Sequence, residues 1–265
     1  MKWLMNPHRT QQVLPDFDLK AAEQVRTFHR TLPDYSVTPL RSLPAMASRL
    51  GLLSLHVKDE DSRFGLHAFK GLGGTYCVAR CLADRLGWNL LPEYEEIRQA
   101  GPFSLTFATA TDGNHGRGIA YASKLFGCGC HVYMPKGSAL ERVENIRRLG
   151  AEVVVTDAGY DETVRMASHD ACLHGWQLVQ DTAWPGYTEI PGIIMQGYLT
   201  LGDEIRDQAE ERFTHIFLQA GVGSMAASLC CYFRALYGED VRICVVEAEE
   251  ADCLLETARA DDGEV

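Results

Sequence analysis

The sequence has 265 residues, 46% of them hydrophobic and 23% charged, which supplies a core for one large or two small globular domains and excludes a disordered chain. Lys and Arg number 25 against 36 Asp and Glu, and the formal net charge of −11 disfavours binding to nucleic acids or anionic membranes. No apolar segment is long enough to span a membrane, and the first residues lack the apolar core of a signal peptide, so we expect a soluble, cytoplasmic protein.

The nine cysteines are scattered through apolar segments, and their odd number favours free thiols over a disulfide framework. Cys128 and Cys130 are spaced too tightly for a zinc-binding pair and have no second pair to complete such a site. Cys77 and Cys81 could share one helix face, where two small buried hydrophobic side chains are expected. We therefore expect no metal site.

In chain order, the first hundred residues are irregular, with a strand predicted over 53–58 and a helix over 76–86. From residue 104 onward, short apolar runs alternate with stretches of helical periodicity. The predicted strands are 104–111, 130–134, 152–156, 176–180, 215–219 and 241–246. The predicted helices include one that ends at Gly127, one opened by a capping box of Ser138 and Glu141, and the segments 160–174 and 249–260. This alternation predicts an α/β fold on a mostly parallel sheet.

A lysine, Lys70, lies in the apolar, glycine-flanked segment 64–74. Burying a charged amine is unfavourable unless the amine is paired or modified. The segment therefore suggests an amine that forms a Schiff base, and a surface lysine whose stem covers apolar side chains is the alternative.

A second cluster, Thr111 to Gly116, joins a predicted strand to a predicted helix, which is where open α/β sheets bind ligands. Asp112 and Asn114 could instead cap the helix, and His115 taken alone is more often a hydrogen-bonded structural residue than a base.

The third cluster, Gln219 to Ala226, follows a strand and opens a helix, so its backbone N–H groups form a ready anion site. It also satisfies the G-x-G-x-x-A dinucleotide pattern, and Glu247 lies where a ribose partner would. A nicotinamide enzyme carries this unit early in its domain, whereas here several strands precede it. This position favours another phosphate, and a glycine turn that only packs tightly remains the structural alternative.

In this order, the three clusters resemble the fold-type-II pyridoxal-phosphate (PLP) enzymes, the tryptophan synthase β-like family that includes serine and threonine dehydratases. Within that family the likeness is to the diaminopropionate ammonia-lyases, and it runs from about residue 35 to the last residue. The matching segments are Thr38-Pro-Leu, Lys58-Asp-Glu, Arg63 to Lys70, Gly73-Gly74, Thr111 to Gly116, Gln180 to Trp184, Gln196 to Thr200 and Gln219 to Met225.

The resemblance implies two open, twisted, mostly parallel sheets flanked by helices, with PLP between two domains. Residues 1–75 and 184–265 would form a large PLP-binding domain, and residues 76–183 a small α/β domain. Family chains continue past the last residue here, so the final part of the large domain, with the partner of the pyridine nitrogen, is expected to be missing. A homodimer is also implied.

The resemblance also assigns roles. Lys70 would carry the cofactor, Phe69 would lie beside its ring and Asn114 would bind its phenolic oxygen. The phosphate would be held by Gly221, Val222, Gly223, Ser224 and Met225. Lys70, Asp112 and Asp181 would be the catalytic groups, with Lys70 on one face of the cofactor, Asp112 on the other, and Asp181 holding the substrate or assisting.

The implied reaction is α,β-elimination of D- or L-2,3-diaminopropionate to pyruvate and two molecules of ammonia. A serine or threonine dehydratase on the same fold is the nearest alternative, although most relatives of that kind have Ser where this chain has Asp112. An inactive, truncated PLP-enzyme fragment is a second alternative. A nicotinamide oxidoreductase comes last, because it leaves Lys70 and the Asp-Gly-Asn cluster unexplained.

Overall fold

The structure is a computed structural model and describes residues 3–6 and 14–260. Its helices are α1 (Leu19–Arg30), α2 (Pro44–Leu50), α3 (Lys70–Arg85), α4 (Tyr94–Gln99), α5 (Asn114–Phe126), α6 (Leu140–Arg147), α7 (Tyr160–His174), α8 (Glu189–Gly197), α9 (Leu199–Gln208), α10 (Ser224–Tyr237) and α11 (Cys253–Ala260). Its strands are β1 (Leu40–Ser42), β2 (His56–Lys58), β3 (Thr106–Ala110), β4 (Gly129–Met134), β5 (Glu152–Val155), β6 (Gln177–Leu178), β7 (His215–Gln219) and β8 (Arg242–Val246).

Four strands form a parallel sheet in the order β5-β4-β3-β6, which confirms the predicted α/β class. β3 and β4 lie at its centre, and their side chains are largely buried because helices cover both faces. All four strands lie within residues 76–183, the segment expected to form the small domain. The expected boundary at 75/76 falls inside α3.

The remaining strands form two small sheets. β7 and β8 pair in parallel, and β1 pairs with β2 in antiparallel register. Within the described residues, no helix has the combination of length and apolar character needed to cross a bilayer.

Helix α3 approaches its neighbours through glycines, and this contact positions Lys70. A Cβ atom on Gly74 would lie 2.7 Å from the carbonyl oxygen of Gly118 in α5, and one on Gly118 would lie 2.7 Å from the carbonyl oxygen of Lys70. A Cβ on Gly73 would likewise lie 2.7 Å from the Tyr198 ring. Only residues without a side chain allow backbones to come this close.

The helix predicted over 76–86 is wrong at its start, because α3 begins at Lys70. Glycine has a low intrinsic helix propensity, which is why the sequence pattern missed the first turns. Burial of Leu72, Gly73 and Gly74 against α5 and α8 overrides that propensity.

Three other boundaries are corrected by side-chain hydrogen bonds. Ser138 does not form the predicted capping box, because its hydroxyl donates to the Pro135 carbonyl and Ala139 occupies the N-cap. The strand predicted over 176–180 ends early, because the Gln180 side chain, and not its backbone, accepts from the backbone N–H of Ala110 at 3.0 Å. The helix predicted from 249 begins at Cys253, where the Glu247 carboxylate accepts the first N–H groups. The strand predicted over 53–58 is confined to β2.

Candidate active site

The Lys70 side chain lies at the first turn of α3 and points into the protein interior. Its Nζ donates a hydrogen bond of 2.5 Å to Oδ2 of Asp181, a buried carboxylate that follows β6. Asp181 is held in place through its neighbour Gln180, whose side chain accepts from the backbone N–H of Ala110 and the Thr109 hydroxyl. The end of β3 therefore fixes the carboxylate that faces the amine.

Charge pairing dominates the electrostatics of this contact. Burial alone would lower the pKa of Lys70, but Tyr198 and Asp181 outweigh it and the net shift is upward. Burial alone would raise the pKa of Asp181, but His115 and Lys70 outweigh it and the net shift is downward. When the Lys70 amine is free, these shifts favour an ammonium paired with a carboxylate, each the compensating charge for the other.

His115 joins this pair from the first turn of α5. Its Nε2 lies 2.9 Å from the Val179 carbonyl oxygen, which can only accept, so Nε2 carries the hydrogen. Burial is the largest influence on the pKa of His115 and lowers it. Its Nδ1 is buried, has no hydrogen-bond partner among the described residues and lies 3.6 Å from Asp181 Oδ2. Nδ1 of His115 therefore faces the Lys70–Asp181 contact.

Two aromatic rings enclose the amine. The Nζ of Lys70 lies 5.6 Å from the centroid of the Phe69 ring and 5.8 Å from that of Tyr198. The two rings meet edge to face at 5.2 Å. Tyr198 is fully buried, and its hydroxyl has no hydrogen-bond partner within the described chain. An orphaned hydroxyl beside the amine is a polar group available to a ligand.

Asp112 and Asn114 lie at the start of α5, but the structure does not bring the Asp112 carboxylate to Lys70. The Asp112 side chain is 79% exposed, and its Oδ2 lies 4.0 Å from Nη1 of Arg142. The same Arg142 atom donates to the Asp112 carbonyl at 3.0 Å. Asn114 is exposed and is the first residue of the helix.

The segment Gly221 to Met225 connects β7 to α10. Gly223 is the N-cap with φ +89°, and no side chain caps the helix, so its first N–H groups are open to an anion. A Cβ on Gly221 would meet nothing within 4 Å. Glu247 caps α11 by accepting from Leu254 and Leu255 at 2.8 and 2.9 Å, so the acidic residue of the dinucleotide pattern has a structural role here.

Three comparisons with known proteins bear on this arrangement. The sequence profile of the family described as "Pyridoxal-phosphate dependent enzyme" matches residues 31–264. The chain belongs to this family. A relative from Salmonella typhimurium, "Diaminopropionate ammonia-lyase", is 49% identical over 255 residues, which cover 91% of this chain and 62% of the relative. The chain thus spans less than two thirds of the length of that curated relative.

Solved structures of diaminopropionate ammonia lyase from Escherichia coli are similar to this chain. The complex with D-serine has a TM-score of 0.93 at 43% identity and covers 98% of this chain and 67% of that one. The complex with an aminoacrylate-PLP azomethine reaction intermediate has a TM-score of 0.89 at 42% identity, with the same coverage. These comparisons confirm the fold-type-II architecture and PLP as the cofactor of the family.

The described residues of this PLP-family chain fit that cofactor. Lys70 supplies a buried amine, and the Tyr198 hydroxyl beside it is an unsatisfied polar atom. The space in front of Gly221 and the uncapped start of α10 suit a phosphate. No group of three or more potential metal ligands occurs in the part of the chain that the structure describes.

Sequence reasoning missed Tyr198 and underrated His115. Tyr198 occurs in the motif 196–200, but no residue type in that motif indicates that its hydroxyl is buried without a partner. His115 follows Asn114 directly, yet only the fold shows its Nδ1 facing Asp181. The environments of Tyr198 and His115 both depend on contacts between residues more than 60 positions apart, and the spacing of residues in the sequence does not predict such contacts.

Proposed function

We propose that this chain is part of a PLP-dependent carbon–nitrogen lyase that eliminates ammonia from 2,3-diaminopropionate and, with one molecule of water consumed, gives pyruvate and two molecules of ammonia. The observation that carries the proposal is the 2.5 Å contact between Lys70 Nζ and Asp181 Oδ2, in a chain 49% identical to a diaminopropionate ammonia-lyase. Because the chain spans 62% of that relative, the activity is proposed for the protein that contains it.

Lys70 has two tasks in this proposal. Bound PLP supplies an electron-withdrawing ring that takes up the electron pair left when the Cα–H bond breaks. The Lys70 amine would hold the cofactor and, when free, would accept the Cα proton on one face. Asp181, 2.5 Å from Nζ, stabilises the ammonium that results, and His115 Nδ1 lies 3.6 Å from the same carboxylate oxygen.

Asp181 also favours a substrate with two amines over a hydroxy-amino acid. A diaminopropionate molecule brings a second ammonium group into the site, and a buried carboxylate attracts that cation. The β-nitrogen must keep its proton to leave as ammonia, and a neighbouring carboxylate stabilises this protonated form. Serine and threonine bring no second cation, so this charge complementarity is lost for them.

We assign Asp112 to proton transfer on the opposite face of the cofactor, with Phe69, Asn114 and the segment Gly221 to Met225 as cofactor-binding residues. The Asp112 assignment is supported by its place three residues before His115, just ahead of α5. It requires the exposed carboxylate to turn from Arg142 toward the site when the substrate binds.

Replacement of Asp112 by Asn tests this assignment. The variant keeps the side-chain volume and removes the titratable group, so we expect activity toward one enantiomer of diaminopropionate to fall by about 100-fold or more, with much less effect on the other. Initial rates of pyruvate release from the separate D and L substrates measure both losses. Equal losses for the two enantiomers contradict the two-face assignment.

The reaction itself is tested with the PLP-loaded chain and DL-2,3-diaminopropionate, with serine and threonine in parallel. We expect pyruvate and twice as much ammonia from diaminopropionate, and much slower turnover of the hydroxy-amino acids. Lys70→Ala is the matched inactive control. Turnover of serine or threonine in preference to diaminopropionate favours the dehydratase alternative. PLP binding without turnover of any of them favours the inactive fragment.

Three further assignments belong to this proposal. We place the protein in the cytoplasm, where the nine cysteines, all free in the structure, match a reducing compartment. We also infer a homodimer, which sedimentation of the full-length protein tests directly. Residues 76–183 are assigned to the small domain and the flanking segments to the large domain. The confinement of the four-stranded sheet to residues 106–178 supports this division.

A further inference from the structure

An open cavity of about 580 Å³ lies outside the candidate active site, lined by α4, one face of α5, the end of α6 and the turn around Phe64. Its volume is in the range of small-molecule sites. The rings of Phe64, Tyr94 and Tyr121 line it, so part of its wall is aromatic.

Four cationic side chains, Arg98, Arg117, Lys124 and Arg148, line the same cavity, against one carboxylate, Asp34. Asp34 accepts a hydrogen bond of 3.0 Å from the Tyr121 hydroxyl. This local excess of positive charge occurs in a protein whose formal net charge is −11. A cationic cavity in an acidic protein attracts anions that the rest of the surface repels.

Three of these cations have no anionic partner within the described residues. Arg98 pairs with Glu95 at 3.5 Å, whereas Arg117, Lys124 and Arg148 form no ion pair. Arg148 donates only to the neutral Asn145 side chain, at 3.3 Å. The Nε of Arg117 is buried and has no hydrogen-bond partner in the described chain. Buried donors are normally satisfied, so this atom points to a missing acceptor.

The cavity is distinct from the Lys70 site because it uses the other side of α5. His115, whose ring faces Val179 and Asp181, and Arg117 are two positions apart on the helix. With 3.6 residues per turn, two positions place side chains on opposite sides. Arg117, Tyr121 and Lys124 recur on one face at helical spacing, and no residue assigned above to catalysis or cofactor binding lines the cavity.

We propose that this cavity binds a small phosphomonoester that carries an aromatic or heteroaromatic ring. The phosphate dianion would accept from Arg117 and face Lys124 and Arg148, and the ring would pack on the aromatic wall. Guanidinium groups match the geometry of phosphate oxygens, and aromatic walls stack flat rings. A bare inorganic phosphate satisfies only the charged part of the site, and a neutral ring compound satisfies only the aromatic part.

The test uses PLP-saturated, desalted protein, so that the cofactor site is filled, and titrates phenyl phosphate, inorganic phosphate and benzyl alcohol separately by calorimetry. We expect one equivalent of phenyl phosphate to bind more tightly than inorganic phosphate, with no binding of benzyl alcohol. Arg117→Gln should lower the affinity for phenyl phosphate by about tenfold or more, because a charge-assisted hydrogen bond is lost. Lys124→Gln should lower the same affinity only several-fold, because the Lys124 side chain is exposed and solvent weakens its attraction for the phosphate.

Arg147→Gln is the matched control, because Arg147 lies on α6 beside Arg148, pairs with Glu144 at 2.8 Å and does not line the cavity. The Arg147→Gln variant should bind phenyl phosphate with the same affinity as the unmodified chain. If Arg117→Gln does not fold, Lys124→Gln decides the question alone. Absence of phenyl phosphate binding, or binding that neither Arg117→Gln nor Lys124→Gln weakens, overturns the proposal. These results are independent of turnover, so they do not depend on the proposed lyase activity.

Discussion

The two parallel sheets differ in how their strands are covered. In the four-stranded sheet, Phe107 on β3 and Val132 on β4 are fully buried. In the β7–β8 pair, Phe217 is 67% exposed, and Val245 and Val246 are also exposed. The first sheet supports Asp181 and the start of α5, and the second supports the segment Gly221 to Met225. Within the described residues, the Lys70–Asp181 contact is therefore built on a packed interior, whereas the segment proposed to bind the phosphate follows a strand pair with exposed side chains.

Because the two sheets differ in burial, we expect substitutions in the first to change the stability of the fold and exposed substitutions in the second to change cofactor affinity. A parallel sheet covered on both faces fixes its strand ends rigidly, so the Lys70–Asp181 contact is preorganised. In the 265-residue chain, substitutions at the exposed positions of the β7–β8 pair, such as Phe217, should have little effect on folding.

The largest expected effect is on the free energy of unfolding and compares two phenylalanines. Phe107→Ala should lower it by about 3 to 5 kcal/mol, because the ring is fully buried in the central strand. In the 265-residue chain, Phe217→Ala should change it by less than about 0.5 kcal/mol, because its ring is 67% exposed there. Urea denaturation followed by circular dichroism measures both. Similar losses for the two variants contradict the contrast between the sheets.

The next effect is a pH dependence of the free energy of unfolding, which we attribute to the buried residue His29. Burial lowers the pKa of His29 to about 3, and its ring nitrogens bond the Thr200 hydroxyl at 2.7 Å and the Leu72 carbonyl at 3.0 Å. The unfolded chain protonates this histidine below about pH 6.5, whereas the folded chain does not, so stability is complete above that pH and falls as the pH drops toward 3. The loss by pH 4 is on the order of 3 kcal/mol.

His29→Gln should remove this part of the pH dependence while lowering stability at neutral pH. His169→Gln is the control, because the His169 side chain is 75% exposed. Urea denaturation at several values between pH 4 and pH 7.5 gives the slopes. An unchanged slope in His29→Gln, or an equal change in His169→Gln, shows that another group is responsible.

The smallest effect on the free energy of unfolding is expected for a substitution at Gly221. The same substitution should lower the affinity for PLP. Gly221→Ala should leave the free energy of unfolding nearly unchanged, because its Cβ meets nothing within 4 Å. If the phosphate occupies that space, PLP affinity should fall by about tenfold, as at least one charge-assisted hydrogen bond is displaced.

Gly192→Ala in α8 is the matched control, because its Cβ also meets open space. It should stabilise the helix by up to about 1 kcal/mol and leave PLP affinity unchanged. Fluorescence titration with PLP measures the affinities. An unchanged affinity in Gly221→Ala removes this segment from the phosphate site.

Most elements of the fold followed from hydrophobic periodicity, because the buried strands and amphipathic helices after residue 104 carry strong patterns. α7 and β7 agree with their predicted bounds, 160–174 and 215–219. The boundaries that failed are set by side chains that replace backbone partners, as Gln180 does at the end of β6. Such bonds depend on a tertiary neighbour, Ala110 in that case, that local pattern does not show.

The candidate site divides in the same way. Lys70 stood out in the sequence because its surroundings are apolar, and the structure places its amine 2.5 Å from the Asp181 carboxylate. Asp112 was chosen by its motif, but an exposed loop position does not fix where a carboxylate points, and the structure turns it to Arg142. The orphaned atoms of Tyr198 and His115 arise from helix packing and have no sequence signal.

The central claim is that Lys70 carries the cofactor. The direct measurement is borohydride reduction of the PLP-loaded chain, proteolysis, and mass spectrometry of the peptides, with Lys70→Ala treated identically. We predict a single pyridoxyl-phosphate adduct on Lys70 that is absent from the variant. An adduct on another lysine, or none on Lys70 in protein that has bound PLP, contradicts the account.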